Sequence, residues 1–493
     1  MGIHDLPFEI LDEIIGATLP NGIESFALTC KDVYARAIPH IKRHHHLRLH
    51  WKHALITEKN ALWATHELIR DPLAAEYVET LSMWDPDDRE PHRDPALSKE
   101  AVASVRDMVL HSEYLEAAGV DTHAWWETME ADVKPFEESH MEAFFHRTIM
   151  LLTQLPNLKS LRLFPDWNEL NLLEGGPESS KDILTVLTVI VRRANAQHKT
   201  GSALGKLQTI LPCMAEGYEE RFGLQSMHPF FGLRDMTELY AISCLAVDDQ
   251  YTGIPFQWMM PGLSSPITRL ELAYCCMDAD GISALLKYTP HLQVFRYSHQ
   301  TKWHGCQHDW NPGAFTEAIA RHCGETITEL ALTIDELYGD IENGASSFLA
   351  FPRLQYLECD VLIFMGPPVE SDQKNGMSGF SPRGAKLWTD VDIPCIGSMM
   401  PSSIVDIQIN TNFPEPDKAA LMALLKDIKW QRANRLKRLE RVLIRQHDTD
   451  TARDLTKEME IELEMFHEED VPSSMVPLWK RNFRDRVGGI KFT

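Results

Sequence analysis

The sequence lacks the short motifs that identify common catalytic and metal sites. It contains no Gly-x-Ser-x-Gly nucleophile turn and no His-Glu-x-x-His zinc motif. Residues 201–206 are one position short of a phosphate-binding loop, and the cysteines include no Cys-x-x-Cys pair. Five histidines lie close together, but flanking lysines and arginines would repel a metal ion; they are His44, His45, His46, His50 and His53. We therefore expect no intrinsic catalysis, no metal and no cofactor.

Signals for export and membrane insertion are also absent. The first residues are acidic where a secretion signal needs positive charge, and the longest apolar run, at residues 183–191, is far shorter than the ~20 residues of a membrane span. The nine cysteines are scattered and odd in number, which is typical of reduced thiols in the cytoplasm or nucleus. The formal net charge of −24 repels nucleic-acid phosphates and anionic lipids, so we expect neither as a partner.

The first 45 residues predict a compact helical module. Ile10, Leu11, Ile14 and Ile15 form one apolar face, and residues 20–22 break this helix with proline and glycine. The stripe of the predicted second helix contains Ile23, Phe26, Ala27, Cys30, Val33 and Tyr34. Two short helices cannot bury this many apolar side chains in each other, so the module either docks a partner or caps a larger domain.

The segment from Leu6-Pro7-Phe8-Glu9-Ile10-Leu11, continued by Leu28-Thr29-Cys30-Lys31, resembles an F-box, although Val33 stands where many members have tryptophan. This resemblance covers under a tenth of the chain. It implies that a Skp-type adaptor of cullin-based ubiquitin ligases binds here. The residues that would carry this contact are Leu6, Pro7, Ile10, Leu11, Ile14, Leu28, Cys30 and Tyr34.

A recurring apolar cadence, Leu-x-x-Leu-x-x-Leu-x-Leu, follows the module. Its clearest copy is at residues 155–163, and a weak early copy is at residues 78–83. Later copies have their central apolar residue at Leu239, Leu270, Phe295, Leu330, Leu357, Ile407 and Val442. The first five of these are separated by about 25 to 35 positions, near the upper end of the leucine-rich-repeat range. Each copy predicts a short alternating strand, and residues 279–288 and 312–323 predict helices between strands.

The predicted fold class is therefore α/β. The all-α helices resembling an F-box, 1–45, precede an irregular solenoid resembling leucine-rich repeats, 46–449, with a curved parallel sheet inside and helices outside. Insertions are expected near 85–152, 165–182 and 366–392, and 450–493 is predicted as an acidic helix and cap. A non-repeat α/β domain remains an alternative.

Residues that alternate with the buried leucines should point to the concave face of such a solenoid. We expect a protein target to contact Trp84, Arg162, Phe164, Tyr240, Arg269, Arg296, Tyr356, Glu358 and Gln408, with Glu271, Ser298, Asp360, Asn410 and Arg445 on the same face. A basic run between Lys426 and Arg445 is either a reader of phosphorylated segments or a solvated helix face.

The resemblance and the repeat together predict the substrate-recognition subunit of a cullin-type (SCF) ubiquitin ligase. Its partners would be a Skp-type adaptor, through it a cullin, and an unidentified protein target. Two alternatives remain: a repeat scaffold that works outside any ligase, and an α/β enzyme whose site uses residues distant in sequence.

Overall fold

The protein is described here by a computed structural model. The described residues are 3, 6–57, 60–84, 97–131, 138–170, 178–196, 201–249, 253–303, 306–371, 388–411, 418–447, 450–466 and 476–488. They form a mixed α/β structure with parallel strands. The chain divides into two compact units, the first formed by Met1–Thr209 with Leu233–Asp235 and the second by Ile210–Gly232 with Met236–Thr493.

The first unit begins with three helices, α1 (Phe8–Ala17), α2 (Ile23–Ala27) and α3 (Lys31–Trp51). The prediction of a single second helix is wrong, because α2 ends at Ala27 and Cys30 is the N-cap of a new helix, α3. Its Sγ accepts a hydrogen bond from the amide of Val33 at 3.4 Å, which satisfies a donor at the start of α3. The boundary predicted at residue 45 lies inside α3, so the chain continues there as one helix.

The rest of the first unit combines short parallel strands with helices. Its strands are β1 (His53–Leu55), β2 (Thr80–Ser82) and β3 (Ser160–Arg162), and its helices are α4 (Ala61–Arg70), α5 (Pro72–Ala75), α6 (Lys99–Leu110), α7 (Glu113–Ala118), α8 (Thr122–Glu130), α9 (Glu138–Leu152) and α10 (Glu178–Asn195). Leu81 pairs with Ala54 on one side and Leu161 on the other. Helices α6 to α9 lie between β2 and β3, in the region where a helical insertion up to residue 152 was predicted, while residues 85–96 lie outside the described part. Strand β4 (Thr209–Leu211) follows where the chain passes into the second unit.

The second unit is built on a longer parallel sheet. Its strands are β5 (Phe222–Gly223), β6 (Glu238–Ile242), β7 (Cys244–Ala246), β8 (Arg269–Met277), β9 (Val294–Gln300), β10 (Glu329–Glu336), β11 (Tyr356–Asp360), β12 (Asp406–Thr411), β13 (Arg441–His447) and β14 (Glu462–Phe466). The spatial order is β6, β8, β9, β10, β11, β12, β13, β14, while β7 pairs with β5 and β8. Its helices are α11 (Ala279–Leu286), α12 (Pro312–Cys323), α13 (Ile396–Met399), α14 (Lys418–Leu425), α15 (Ile428–Asn434), α16 (Asp450–Met459) and α17 (Leu478–Val487).

Every central residue of the predicted cadence lies on a strand, and these residues align across the sheet. Leu239 pairs with Leu270, Leu270 with Phe295, and the row continues through Leu330, Leu357, Ile407 and Val442. All seven are buried. Burying a side chain of this size contributes about 1.5–3 kcal/mol, so the row forms a continuous apolar core. The strand predictions and the helices α11 and α12 are thus confirmed.

The prediction of an acidic helix after residue 450 is only partly correct. Helix α16 ends at Met459, and Glu462–Phe466 forms β14, which pairs in parallel with β13. Leu463 aligns with Ile444 and extends the sheet by one strand. None of the helices in the described part of the chain is long and apolar enough to cross a membrane.

Candidate functional site

The three N-terminal helices leave large apolar side chains in solvent. Leu28 is 80% exposed and Phe8 is 59% exposed. We call the N-terminal apolar surface the set Phe8, Ile10, Ile14, Leu28, Tyr34 and Ile38, all of which are exposed. All six lie between residues 8 and 38, and so many large apolar side chains exposed in so short a segment are typical of a protein-interaction site.

The interior of the same helices is closed and apolar. It contains Leu11, Ile15, Leu19, Ile23, Ala27, Val33 and Ala37, all buried. In α1, Leu11 and Ile15 therefore point inward while Ile10 and Ile14 point outward, because successive helical residues are rotated by about 100°. The N-terminal apolar surface is therefore separate from this core, which is formed by other residues of the same helices.

The predicted adaptor-contacting residues divide between this core and the surface. Ile10, Ile14, Leu28 and Tyr34 are exposed, as is Pro7, the N-cap of α1. Leu11 is a correction, because it is a core residue and unavailable to a partner. Leu6 and Cys30 are half-buried. Val33, at the position where many F-box proteins have tryptophan, is fully buried, so a larger side chain does not fit there without repacking.

The predicted target-binding residues of the first unit are partly covered by that unit's own helices. Phe164 is buried against Phe144 of α9, with ring centres 4.1 Å apart, and against Phe145 and Trp167. The prediction that Phe164 faces a target is wrong, because the inserted helix α9 covers it. Arg162 is also buried, with its guanidinium 5.9 Å from the ring centre of Trp84.

In the second unit, the predicted residues lie in one row across the sheet, with Ala331 of β10 between Arg296 and Glu358. Tyr240 pairs with Glu271, Glu271 with Arg296, and Glu358 with Gln408, in register across β6 to β12. We call the polar face this row together with the adjoining residues Arg269, Ser298, Tyr356, Asp360, Asn410 and Arg445. The prediction that these residues share a side of one sheet is consistent with the observed register.

Glu271 pairs with several arginines on the polar face. It is fully buried, and its Oε1 lies 2.7 Å from Arg269, 3.3 Å from Arg296 and 2.5 Å from Arg486 of α17. Arg296 also pairs with Glu329 at 2.7 Å. A buried carboxylate requires such compensation, because an isolated charge in the interior is costly.

Helix α17 lies on the polar face, and the sequence interpretation did not foresee it. The backbone amides of Leu478 and Trp479 donate to the two oxygens of Glu358 at 2.7 and 3.0 Å. The ring of Phe483 lies 5.9 Å from that of Tyr240. Tyr240 and Glu358 are consequently buried by the chain itself, not exposed to solvent as predicted. Burial, followed by the nearby Glu238 and Glu271, raises the pKa of Tyr240.

A signal for α17 exists in the sequence. Trp479, Phe483 and Val487 recur at intervals of four between Pro477 and the residue Gly488, which is the spacing of a short amphipathic helix.

A groove of about 270 Å³ remains open beside α17. It is lined by Arg296, Tyr356, Glu358 and Gln408 of the polar face, and by Trp479 and Asn482 of α17. Tyr356 is exposed at its edge. Asp406 also lines the groove, and burial raises the pKa of its carboxyl. The open part of the polar face is therefore a mixed aromatic and acidic surface.

The basic run does not form a free cluster of cations. Lys429 pairs with Glu460 at 2.9 Å and Arg441 with Glu462 at 2.9 Å. Arg445 is buried and contacts Glu464 at 2.8 Å. These contacts connect the run to α16 and β14, which favours a structural role over a phosphate reader.

The clustered histidines and several cysteines pack within the described part of the chain. Among the described residues, no group of three or more His, Cys, Asp or Glu side chains is placed to hold a metal ion. His44 is buried against the hydroxyl of Tyr77 at 2.9 Å, and His46 stacks on His50. Cys276 lies 3.8 Å from Cys306, and burial raises the pKa of the Cys276 thiol. Buried thiols of this kind are unreactive.

Comparison with known proteins adds no family to this description. No family model matches the chain. No curated protein matches it either. The functional argument therefore depends on the N-terminal apolar surface and the polar face.

Proposed function

We propose that this chain is the target-binding subunit of a cullin-type ubiquitin ligase. The N-terminal apolar surface docks a Skp-type adaptor, and the polar face receives a protein target. The chain itself performs no chemistry in this role. It holds the target beside the ligase core, so that ubiquitin transfer becomes an effectively intramolecular step.

The observation that carries the proposal is the N-terminal apolar surface on helices whose interior is already complete. Residues 8–38 expose six large apolar side chains, including Leu28 and Phe8. Each contributes about 1.5–3 kcal/mol if a partner buries it fully. The same positions include four of the residues that the F-box resemblance assigns to adaptor binding, namely Ile10, Ile14, Leu28 and Tyr34.

The arrangement of strands supports the second half of the proposal. Equivalent residues of successive copies pair in parallel register, from Leu239 to Val442, and α11 and α12 connect neighbouring strands. We interpret this as a solenoid resembling leucine-rich repeats. Such solenoids present one row of strand residues as a binding surface, and the polar face is that row here.

The test is co-purification of the full chain with a Skp-type adaptor. It is done both from a cell extract and with purified components. The informative variant is Ile10→Asp/Leu28→Asp, which places two charges on the exposed surface without touching the buried core. We expect it to weaken adaptor binding at least ~100-fold while the thermal unfolding midpoint stays within about 2 °C.

Leu49→Asp is the matched control. Leu49 is 90% exposed on α3 and lies outside the N-terminal apolar surface, about 16 Å along the helix from Ile38. It should bind adaptor like the unmodified chain. A folded chain that does not bind any Skp-type adaptor would refute the ligase proposal, and the scaffold interpretation of the polar face would then be preferred.

A further inference from the structure

Helix α17 occupies the polar face, and a residue of the sheet caps the N-terminus of this helix. Pro477, the N-cap residue, forms no side-chain cap. The carboxylate of Glu358 on β11 takes that place by accepting from the amides of Leu478 and Trp479. A negative charge at a helix N-terminus is favourable, because the helix dipole and free amides are positive there. The sheet therefore contains a site for the start of a helix.

Cations of α17 meet carboxylates of the sheet. Lys480 is buried, pairs with Asp335 and lies 3.4 Å from the ring centre of Tyr274. Arg486 pairs with Glu271 at 2.5 Å. In a chain with a net charge of −24, the polar face thus attracts a positively charged helix.

Aromatic side chains complete the contact. Trp479 and Phe483 lie one helical turn apart, with ring centres 5.9 Å from each other, and both are buried. The indole nitrogen of Trp479 donates to the hydroxyl of Thr333 at 3.2 Å. Aromatic anchors combined with a basic side chain are the usual centre of a protein interface. The face therefore fits a helix with aromatic residues at positions i and i+4 and cations at i+1 and i+7.

The sheet does not depend on α17 for its backbone hydrogen bonds. Strands β6 and β8 to β13 pair with one another in parallel register without it. Helix α17 is ten residues long, below the length at which an isolated helix is stable in water. Part of its contact consists of buried ion pairs, whose desolvation offsets much of their attraction. These properties describe an element that folds on docking and can unfold on release.

We propose that the surface under α17 is the target site, and that a target binds by presenting a helix of the same aromatic and basic chemistry, which displaces α17. The inference rests on the proposed function, in which the polar face receives a target. The chain remains covalently continuous between Phe466 and Leu478, so α17 stays attached to β14 after release. A short tether gives an effective concentration of about 1 mM, so a target at about 1 μM must bind about 1,000-fold more tightly than the free α17 segment. Helix α17 thereby prevents weakly binding proteins from occupying the site.

Hydrogen–deuterium exchange on the full chain is the first test. We expect the amides of Leu478–Val487 to exchange at least ~100-fold faster than those of Pro312–Cys323, a helix of similar length that connects β9 with β10. Equal protection of the two helices would overturn the proposal, because α17 would then open only with the whole unit.

The second test uses a labelled peptide with the sequence of residues 476–488 as the probe. It should bind a chain lacking residues 476–493 at least ~100-fold more tightly than the full chain, in which α17 occupies the site. A peptide with Lys480→Glu and Arg486→Glu is the matched control and should not bind. A truncated chain that unfolds, or binds both peptides alike, would overturn the proposal.

Neither measurement contains an adaptor, so the two proposals fail separately. Fast exchange and peptide binding in a chain that does not bind adaptor would contradict the ligase role alone. Adaptor binding with a fully protected α17 would contradict only the displacement of α17.

Discussion

The N-terminal helices and helix α17 distribute their side chains in opposite ways. Helices α1 to α3 expose Phe8, Ile10 and Leu28 while their interior is complete. Helix α17 buries Lys480 and directs Arg486 to the buried Glu271. Apolar groups in water and ion pairs in the interior are both unfavourable arrangements that a stable fold avoids without another reason.

The difference indicates which surface still needs a partner. Burial of the N-terminal apolar surface lowers the free energy only when another molecule covers it, since α1 to α3 already bury their own core. The part of the polar face under α17 already has an occupant, so another ligand of that part competes with α17. The N-terminal apolar surface is thus open to its partner, whereas that part of the polar face admits only ligands that can displace α17.

The largest effect should come from moving a charge to the inside of the N-terminal helices. Val33 is fully buried, so Val33→Asp places an unpaired carboxylate in an apolar core and should cost about 4 kcal/mol in the free energy of unfolding. Leu28→Asp, on the exposed side, should change it by less than about 0.5 kcal/mol. Urea unfolding followed by circular dichroism measures both, and similar losses would remove the distinction between core and surface.

On the polar face, Glu271→Ala should have the next largest effect. It leaves Arg269, Arg296 and Arg486 close together without their shared carboxylate, and we expect a loss of about 3 kcal/mol in the free energy of unfolding. Arg486→Ala removes one partner that is more than a third exposed, so its cost should be only about 0.5 kcal/mol.

A double-mutant cycle of Glu271 and Arg486 gives their coupling energy, with Leu49→Asp as the exposed control on another helix. Coupling indistinguishable from zero would show that α17 is not held at Glu271, contrary to the geometry.

The strands were predictable because their apolar residues alternate and recur locally. Leu270, Phe295 and Leu330 each lie in a copy of the cadence that contains all the information needed to place a strand. The break before α3 was harder to predict, since it depends on Cys30 accepting a hydrogen bond from Val33, and a thiol is an uncommon helix cap.

The docking of α17 could not be derived from local pattern. Leu478 meets Glu358 across 120 positions, and Arg486 meets Glu271 across 215 positions. Alternation indicated which strand residues share a face, but not that a helix would cover them. The covering of Phe164 by α9 was missed for the same reason.

The buried carboxyl of Asp360 should make stability depend on pH. Burial, with the nearby Asp335 and Glu358, raises its pKa to about 8 from 3.8. A raised carboxyl pKa means that the folded chain retains this proton more strongly than the unfolded chain. Its contribution to stability is therefore complete below about pH 4 and is lost as the pH rises to about 8.

Asp360→Asn should remove this loss, so the variant should gain about 2 kcal/mol relative to the unmodified chain between pH 6 and pH 8. Urea unfolding at each pH measures it, and Asp485→Asn on the exposed side of α17 is the control. Parallel pH profiles of the two variants would show that the polar face carries no buried proton at Asp360.

The smallest expected effect concerns Cys30. It distinguishes a structural role of this residue from direct contact with the adaptor. Cys30→Ser replaces a weak sulfur acceptor with a hydroxyl at the cap of α3, and should stabilise the chain by about 0.5 kcal/mol, whereas Cys30→Ala should lose a similar amount. If the adaptor contacts only the exposed side chains, Cys30→Ser should change adaptor affinity less than twofold, while Leu28→Ala should reduce it at least ~10-fold. A large loss of affinity in Cys30→Ser, despite the better cap, would place the half-buried Cys30 in the interface and extend the N-terminal apolar surface to the junction between α2 and α3.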